Sequence, residues 1–139
     1  MCVSVFLLIL ASSAAYFDMK TSKIPNLLLI LCIPLLCILR VWGQGVYALG
    51  EGVISGFLLI MALFPFFSVG ALGAGDVKLL SVLSLGLSGN AALTMLFASF
   101  FTAALWGLLR ICFLKGKGDE RIHLAPAILA GLLISMLSF

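Results

Sequence analysis

The stretch "GALGAGDVKLL", Gly70 to Leu80, sets an aspartate and a lysine inside a chain that is otherwise close to continuous apolar sequence. Three of the six residues before Asp76 are glycine. Across all 139 residues, hydrophobic side chains make up 64% and charged ones 9%, with a mean hydropathy of +1.34. Soluble domains carry about 25% charged residues, so the composition excludes one and calls for an integral membrane protein.

Working outward from Asp76, long apolar runs alternate with short polar breaks, and a run of about 17 to 25 apolar residues crosses a bilayer. By that measure helices are expected near residues 2–17, 26–42, 46–67, 76–88, 90–113 and 122–139. The expected fold is an all-α, polytopic membrane helical bundle of about six transmembrane helices, forming one domain over residues 1–139. The fourth helix is short, and the glycine-rich segment before it reads as irregular backbone dipping into the membrane, which is tolerated only where protein or a water-filled cavity surrounds it. Ala48, Gly52 and Gly56 recur every four residues on the third helix, a small-residue face for close helix packing.

Charge gives the orientation. Lys20, Lys23, Lys78, Arg110, Lys115, Lys117 and Arg121 fall on one side of this arrangement and only Arg40 on the other. The positive-inside rule then puts the first, third and fifth loops in the cytoplasm and both termini outside. The basic residues form no dense run with interleaved aromatics, which excludes nucleic acid as a partner and leaves the lipid bilayer as the surroundings. The segment "VSVFLLILASSAA" has the look of a secretory h-region, but no Lys or Arg precedes Lys20, so the expectation is a retained first helix. Cys2, Cys32, Cys37 and Cys112 form no C-x-x-C pair and lie in apolar segments, where a thiol acts as a small hydrophobe. No metal or other cofactor is expected.

Five carboxylates remain to be placed. Asp119 and Glu120 belong to the solvated "KGKGDE" loop, and Glu51 is expected at the interface or at a helix N-terminal dipole. Asp18 closes the first apolar run and Asp76 opens the fourth, so both fall at one cytoplasmic depth although 58 positions apart. An acidic residue at membrane depth ordinarily faces the bundle interior or a polar cavity and marks function. One reading has each aspartate capping a helix or pairing with Lys20, Lys23 or Lys78. In the other the two converge, cannot both ionise cheaply, and share a proton. Such a pair is the acid and base of an aspartic protease, one carboxylate activating water while the other polarises the scissile carbonyl. His123 has no neighbouring ligand in sequence and no serine has a base nearby. Gly73 and Gly75 would permit unusual backbone angles and close approach of a substrate beside Asp76.

The segment "GAGD", residues 73–76, resembles the G-x-G-D motif of intramembrane-type aspartic proteases, and "GAGDVKLL" with Lys78 resembles the prepilin peptidase branch. In "DMKTSKIPN", Asp18 precedes Ile24, Pro25 and Asn26 as D-x5-I-P-N, which is similar to the first-aspartate motif of that family. "HLAPAILAG", with Pro126 and Gly131, is similar to the family's final helix. The resemblance implies that Asp18 and Asp76 are the catalytic pair, supported by Gly73, Gly75, Lys78, Ile24, Pro25 and Asn26. It implies as substrate the precursor of a type IV or Flp-type pilin or a pseudopilin, cut after a glycine at the end of a basic leader. It further implies a prokaryotic cytoplasmic (inner) membrane, with the active site facing the cytoplasm.

Larger members of that family carry a cysteine-rich domain with paired C-x-x-C motifs and also N-methylate the new amino terminus. This sequence lacks such pairs, so methyl transfer is not expected, and the compact, peptidase-only members of tight-adherence pili are the nearer likeness. The competing readings are an archaeal preflagellin-type or other G-x-G-D intramembrane protease, a non-catalytic pilus assembly subunit, and a proton- or ion-coupled transport component. The transport reading calls for acidic residues near the midplane on paired broken helices, whereas both aspartates here fall near one face.

Overall fold

The computed structural model describes residues 2–21, 25–70, 72–114 and 124–138. Six helices account for nearly all of them: α1 (Cys2–Thr21), α2 (Asn26–Gln44), α3 (Val46–Ser68), α4 (Ala74–Leu85), α5 (Gly89–Leu114) and α6 (Ala125–Ser138). The fold is all-helical, as the alternation of apolar runs and polar breaks implied. In α1, α2, α3 and the Gly89–Leu109 part of α5, the helix is long and apolar enough to cross a membrane. At about 1.5 Å per residue, the 12 residues of α4 and the 14 of α6 reach only partway through a hydrocarbon layer about 30 Å thick.

The breaks have local causes. Pro25, extended at φ −66° and ψ 123°, precedes the first residue of α2, because a proline disfavours helix in the residue before it and suits a helix entry. Gly45 at φ 87° turns α2 into α3, and Gly70 at φ 75° ends α3, both in the left-handed region that side chains resist. Pro126 sits in the first turn of α6, where its missing N–H leaves no bond unmade.

Lipid is as apolar as leucine, so helices in a membrane associate through close packing and polar bonds rather than through escape from water. Both devices are present. A Cβ on Gly52 would collide with the Leu85 carbonyl oxygen, and one on Gly56 would lie 3.1 Å from the Ser81 oxygen and from Ser84 Oγ. Ser81 Oγ donates to the Gly56 carbonyl at 3.3 Å across the same seam. The Gly52 and Gly56 face of α3 is therefore the surface on which α4 lies. Gly131 of α6 meets Ser99 and the Met95 carbonyl of α5 in the same manner, and Thr102 Oγ1 lies 3.2 Å from the Ala127 oxygen. Leu7, Leu10, Leu36, Leu79, Leu80, Leu83, Met95, Ile128 and Leu132 fill the core between these seams.

Candidate active site

Residues four apart fix the direction of α4 against α3: Gly52 faces Leu85 and Gly56 faces Ser81, so the two helices run antiparallel. Continuing that register puts Asp76 level with Met61, seven residues, or about 10 Å, short of the end of α3 at Ser68. Asp76 is thus recessed below the tip of α3, and it is half-buried in the first turn of α4.

The level of Asp18 follows from the opposite end. The Leu7 side chain of α1 packs where a Cβ of Gly86 would stand, at 2.7 Å. The cleft formed there by Val3, Leu7, Leu39, Trp42, Gly86 and Leu87 joins the start of α1 to the end of α2 and the end of α4. From Leu7, eleven residues along α1 lead to Asp18, and from Gly86, ten residues back along α4 lead to Asp76. These paths are about 16 and 15 Å long and run the same way, because α1 is antiparallel to α4. The two aspartates therefore occupy one level of the bundle.

Two hydrogen bonds tie helix ends in pairs near that level. Asp18, 9% exposed in the last turns of α1, accepts a hydrogen bond on Oδ2 from the Ala125 N–H at 3.4 Å, which seats its carboxylate on the N-terminus of α6. Lys78 Nζ donates to Asn26 Oδ1 at 3.2 Å, which ties the first turns of α4 to the first residue of α2. One bond thus joins the N-terminus of α6 to the end of α1, and the other joins the N-termini of α2 and α4. Unpaired N–H groups and helix dipoles at such ends favour negative charge, the setting in which two carboxylates are held most cheaply.

Gly73 is the N-cap residue of α4, and the Asp76 carboxylate folds back over it: a Cβ on Gly73 would lie 2.9 Å from Asp76 Oδ2. The backbone of Gly73, φ −73° and ψ 143°, is ordinary extended chain. Its contribution is space rather than the unusual dihedral angles the sequence suggested, and the left-handed glycine of this loop is Gly70, three residues upstream. Gly75 is half-buried within the first turn of α4. Pro25 is half-buried at the entry to α2, and its carbonyl accepts from the Leu28 N–H at 3.1 Å.

The expectations for Lys23, Ile24, Lys115, Lys117, Asp119, Glu120, Arg121 and His123 lie outside the described residues, as do those for the side chains of Arg110 and Cys112. Glu51 does meet a helix N-terminus: its Oε1 accepts from the Gly89 N–H at 3.1 Å, at the start of α5. Two partners escaped the reading of the sequence. One is the Ala125 N–H beneath Asp18. The other is Arg40, 3% exposed, whose guanidinium is bonded to the carbonyls of Gly86 and Leu87 at 2.6 and 3.0 Å. A single arginine in an apolar run was the available signal, since such a charge must find partners within the bundle.

Residues 5–108 match the model of the type IV leader peptidase family, and the chain belongs to that family. It is also similar to the prepilin leader peptidase/N-methyltransferase of Bacillus subtilis (strain 168), with 29% identity over 129 residues. The match covers 88% of this chain and 50% of the relative, so the chain spans about half the length of the curated relative it matches. No solved structure matches the chain significantly.

Proposed function

We propose that this member of the type IV leader peptidase family is a membrane aspartic endopeptidase, with Asp18 and Asp76 as its acid and base. Its substrate is a type IV or Flp-type prepilin or a pseudopilin, cut on the cytoplasmic side of the inner membrane after the glycine that ends a basic leader. The observation that carries the reading is the common level of the two aspartates, reached by eleven residues from Leu7 and ten from Gly86. The cytoplasmic side follows from the positive-inside rule for the charged loops, and a basic leader is retained on that side by the same rule.

In this mechanism one aspartate is ionised and the other protonated, since two close carboxylates share a proton. The carboxylate takes a proton from water as the water oxygen bonds to the scissile carbonyl carbon. The protonated partner gives its proton toward the carbonyl oxygen, producing a tetrahedral diol. As the diol collapses the C–N bond breaks, one hydroxyl returns its proton to the second aspartate, and the proton first taken from water passes to the leaving nitrogen, which restores the starting protonation of the pair. The products are a leader ending in a free glycine carboxyl and a mature subunit with a new amino terminus. Gly73 leaves room for the Asp76 carboxylate, and the Asn26 to Lys78 bond holds the two motif segments together.

The peptidase step is the part assigned to Asp18 and Asp76. Co-expression with a tagged prepilin tests it by mass: the expected product has lost its leader. Persistence of the full-length precursor across several prepilins, with the enzyme inserted and folded, would contradict the peptidase assignment.

A second reading has support in the Ala125 contact, which makes Asp18 a helix cap. The two roles are compatible for one carboxylate, which has two oxygens and about four acceptor positions. They separate under substitution, because asparagine retains an acceptor for the cap and loses the acid.

A further inference from the structure

At the end of the bundle away from Asp18 and Asp76, Arg40 and Glu51 take no part in the proposed chemistry, yet both are bonded to the turn between α4 and α5. The Arg40 guanidinium donates from Nη1 to the Gly86 carbonyl at 2.6 Å, from Nη2 to the Leu87 carbonyl at 3.0 Å and from Nε to the Ala48 carbonyl at 3.4 Å. Glu51 accepts the Gly89 N–H two residues beyond Leu87. Gly86 and Leu87 lie just beyond α4, and their N–H groups close its last turn on the Leu83 and Ser84 carbonyls. Because α4 ends short of the far surface, the carbonyls of Gly86 and Leu87 are met inside the protein, by the Arg40 side chain.

A second consequence concerns the position of α4 along its own axis. The face of α3 beneath it, at Gly52 and Gly56, lets the two backbones approach closely, and midway along the seam the Ser81 hydroxyl is bonded to the Gly56 carbonyl. Polar bonds at the two ends of α4 add to that hold: Lys78 to Asn26 at the start and the two Arg40 bonds to Gly86 and Leu87 at the finish. Ten residues of helix, about 15 Å, separate Gly86 from Asp76, and an axial shift at one is felt at the other.

We infer that Arg40 is a positioning residue for the reaction: by holding the carbonyl end of α4 it sets the depth of Asp76 relative to Asp18. Glu51 restrains the far side of the same turn. The inference rests on the peptidase reading of the two aspartates. A misplacement of about 1 Å at a reacting group can cost about 100-fold in rate, so a small slip of α4 is enough to be seen.

The test uses Arg40→Lys, which keeps the charge but loses the fork that reaches several carbonyls at once, with Arg40→Met as the stronger variant. Two readouts are taken in lipid bilayers on full-length protein whose four cysteines are replaced by alanine. The first is prepilin cleavage, separated into kcat and KM. The second is the distance distribution between nitroxide labels on Leu27→Cys and Ala74→Cys, at exposed first turns of α2 and α4. The expected result for Arg40→Lys is kcat lowered about 10-fold or more, KM within about twofold of the parent, and a shifted or broadened distance distribution. Parent-like kcat in Arg40→Lys would overturn the inference. So would lowered kcat with an unchanged distribution, since Arg40 would then act by a route other than α4. Should the parent enzyme cleave no prepilin, the peptidase reading fails on its own, while the label distances still decide whether Arg40 places α4.

Discussion

Lys78 Nζ donates to Asn26 Oδ1 at 3.2 Å across 52 positions of sequence, joining the G-x-G-D segment to the I-P-N segment. The bond spans the two helix starts that flank the aspartates, and both partners are exposed. An exposed hydrogen bond of this kind contributes at most about 1 kcal/mol to stability, so its worth lies in geometry. Asn26→Ala and Lys78→Ala are each expected to lower cleavage with little change in thermal stability. The double variant should be no worse than the more impaired single one, and a fully additive double-mutant cycle would show that the contact is not used.

In the proposed mechanism Asp18 carries a chemical role besides its bond to the Ala125 N–H, and different substitutions divide the two. Asp18→Ala removes both the acid and the acceptor for the Ala125 N–H, and loss of a helix cap costs about 1 kcal/mol. Asp18→Asn should abolish cleavage while keeping the cap. Thermal unfolding of the two variants is expected to differ by that amount, and equal stability would remove the capping contribution.

The space above Gly73 is needed by Asp76. Gly73→Ala sets a methyl group 2.9 Å from the present position of Asp76 Oδ2, so the carboxylate must turn away, and kcat should fall at least about 10-fold with folding preserved. Gly70→Ala makes a useful contrast, because nothing lies within 4 Å of that site but its φ of +75° is strained for any side chain. It should cost about 1 kcal/mol of stability and leave the chemistry nearly intact. The reverse pattern in a paired assay would contradict the assignment of space to Gly73.

Gly52 has the least room on α3, with the Leu85 backbone against it. Gly52→Val should push α4 off its seat and destabilise the bundle by about 1–3 kcal/mol, the usual range for overpacking. Chemical denaturation in detergent reads this directly, and a stability equal to that of the parent would mean that the seam can open without loss.

Much of the fold was legible because each helix boundary carries its own chemistry. Pro25, Gly45 and Gly70 stand at breaks between apolar runs, and the six expected helices fall close to those observed, with α4 at 74–85 rather than 76–88. Asp18 and Asp76 stood out because carboxylates in such a sequence are few, whereas the Ala125 N–H that meets Asp18 lies 107 positions away and did not. Glu51 was expected at an interface or a helix dipole, and it meets the start of α5. Arg40 was not legible beyond being a lone charge, because its partners lie 46 and 47 positions away and exist only once α4 has ended early inside the bundle. The role of Gly73 was half legible: a glycine beside Asp76 predicted accommodation, but only the direction of the carboxylate shows that the gain is volume rather than backbone freedom.

The central claim is that Asp18 and Asp76 act together as acid and base, and cleavage of a tagged prepilin by wild type, Asp18→Asn and Asp76→Asn in membranes tests it most directly. Loss of the leader should be seen with wild type and with neither variant, all three proteins being inserted at equal levels. Leader removal by either asparagine variant at a rate near that of wild type would contradict the account.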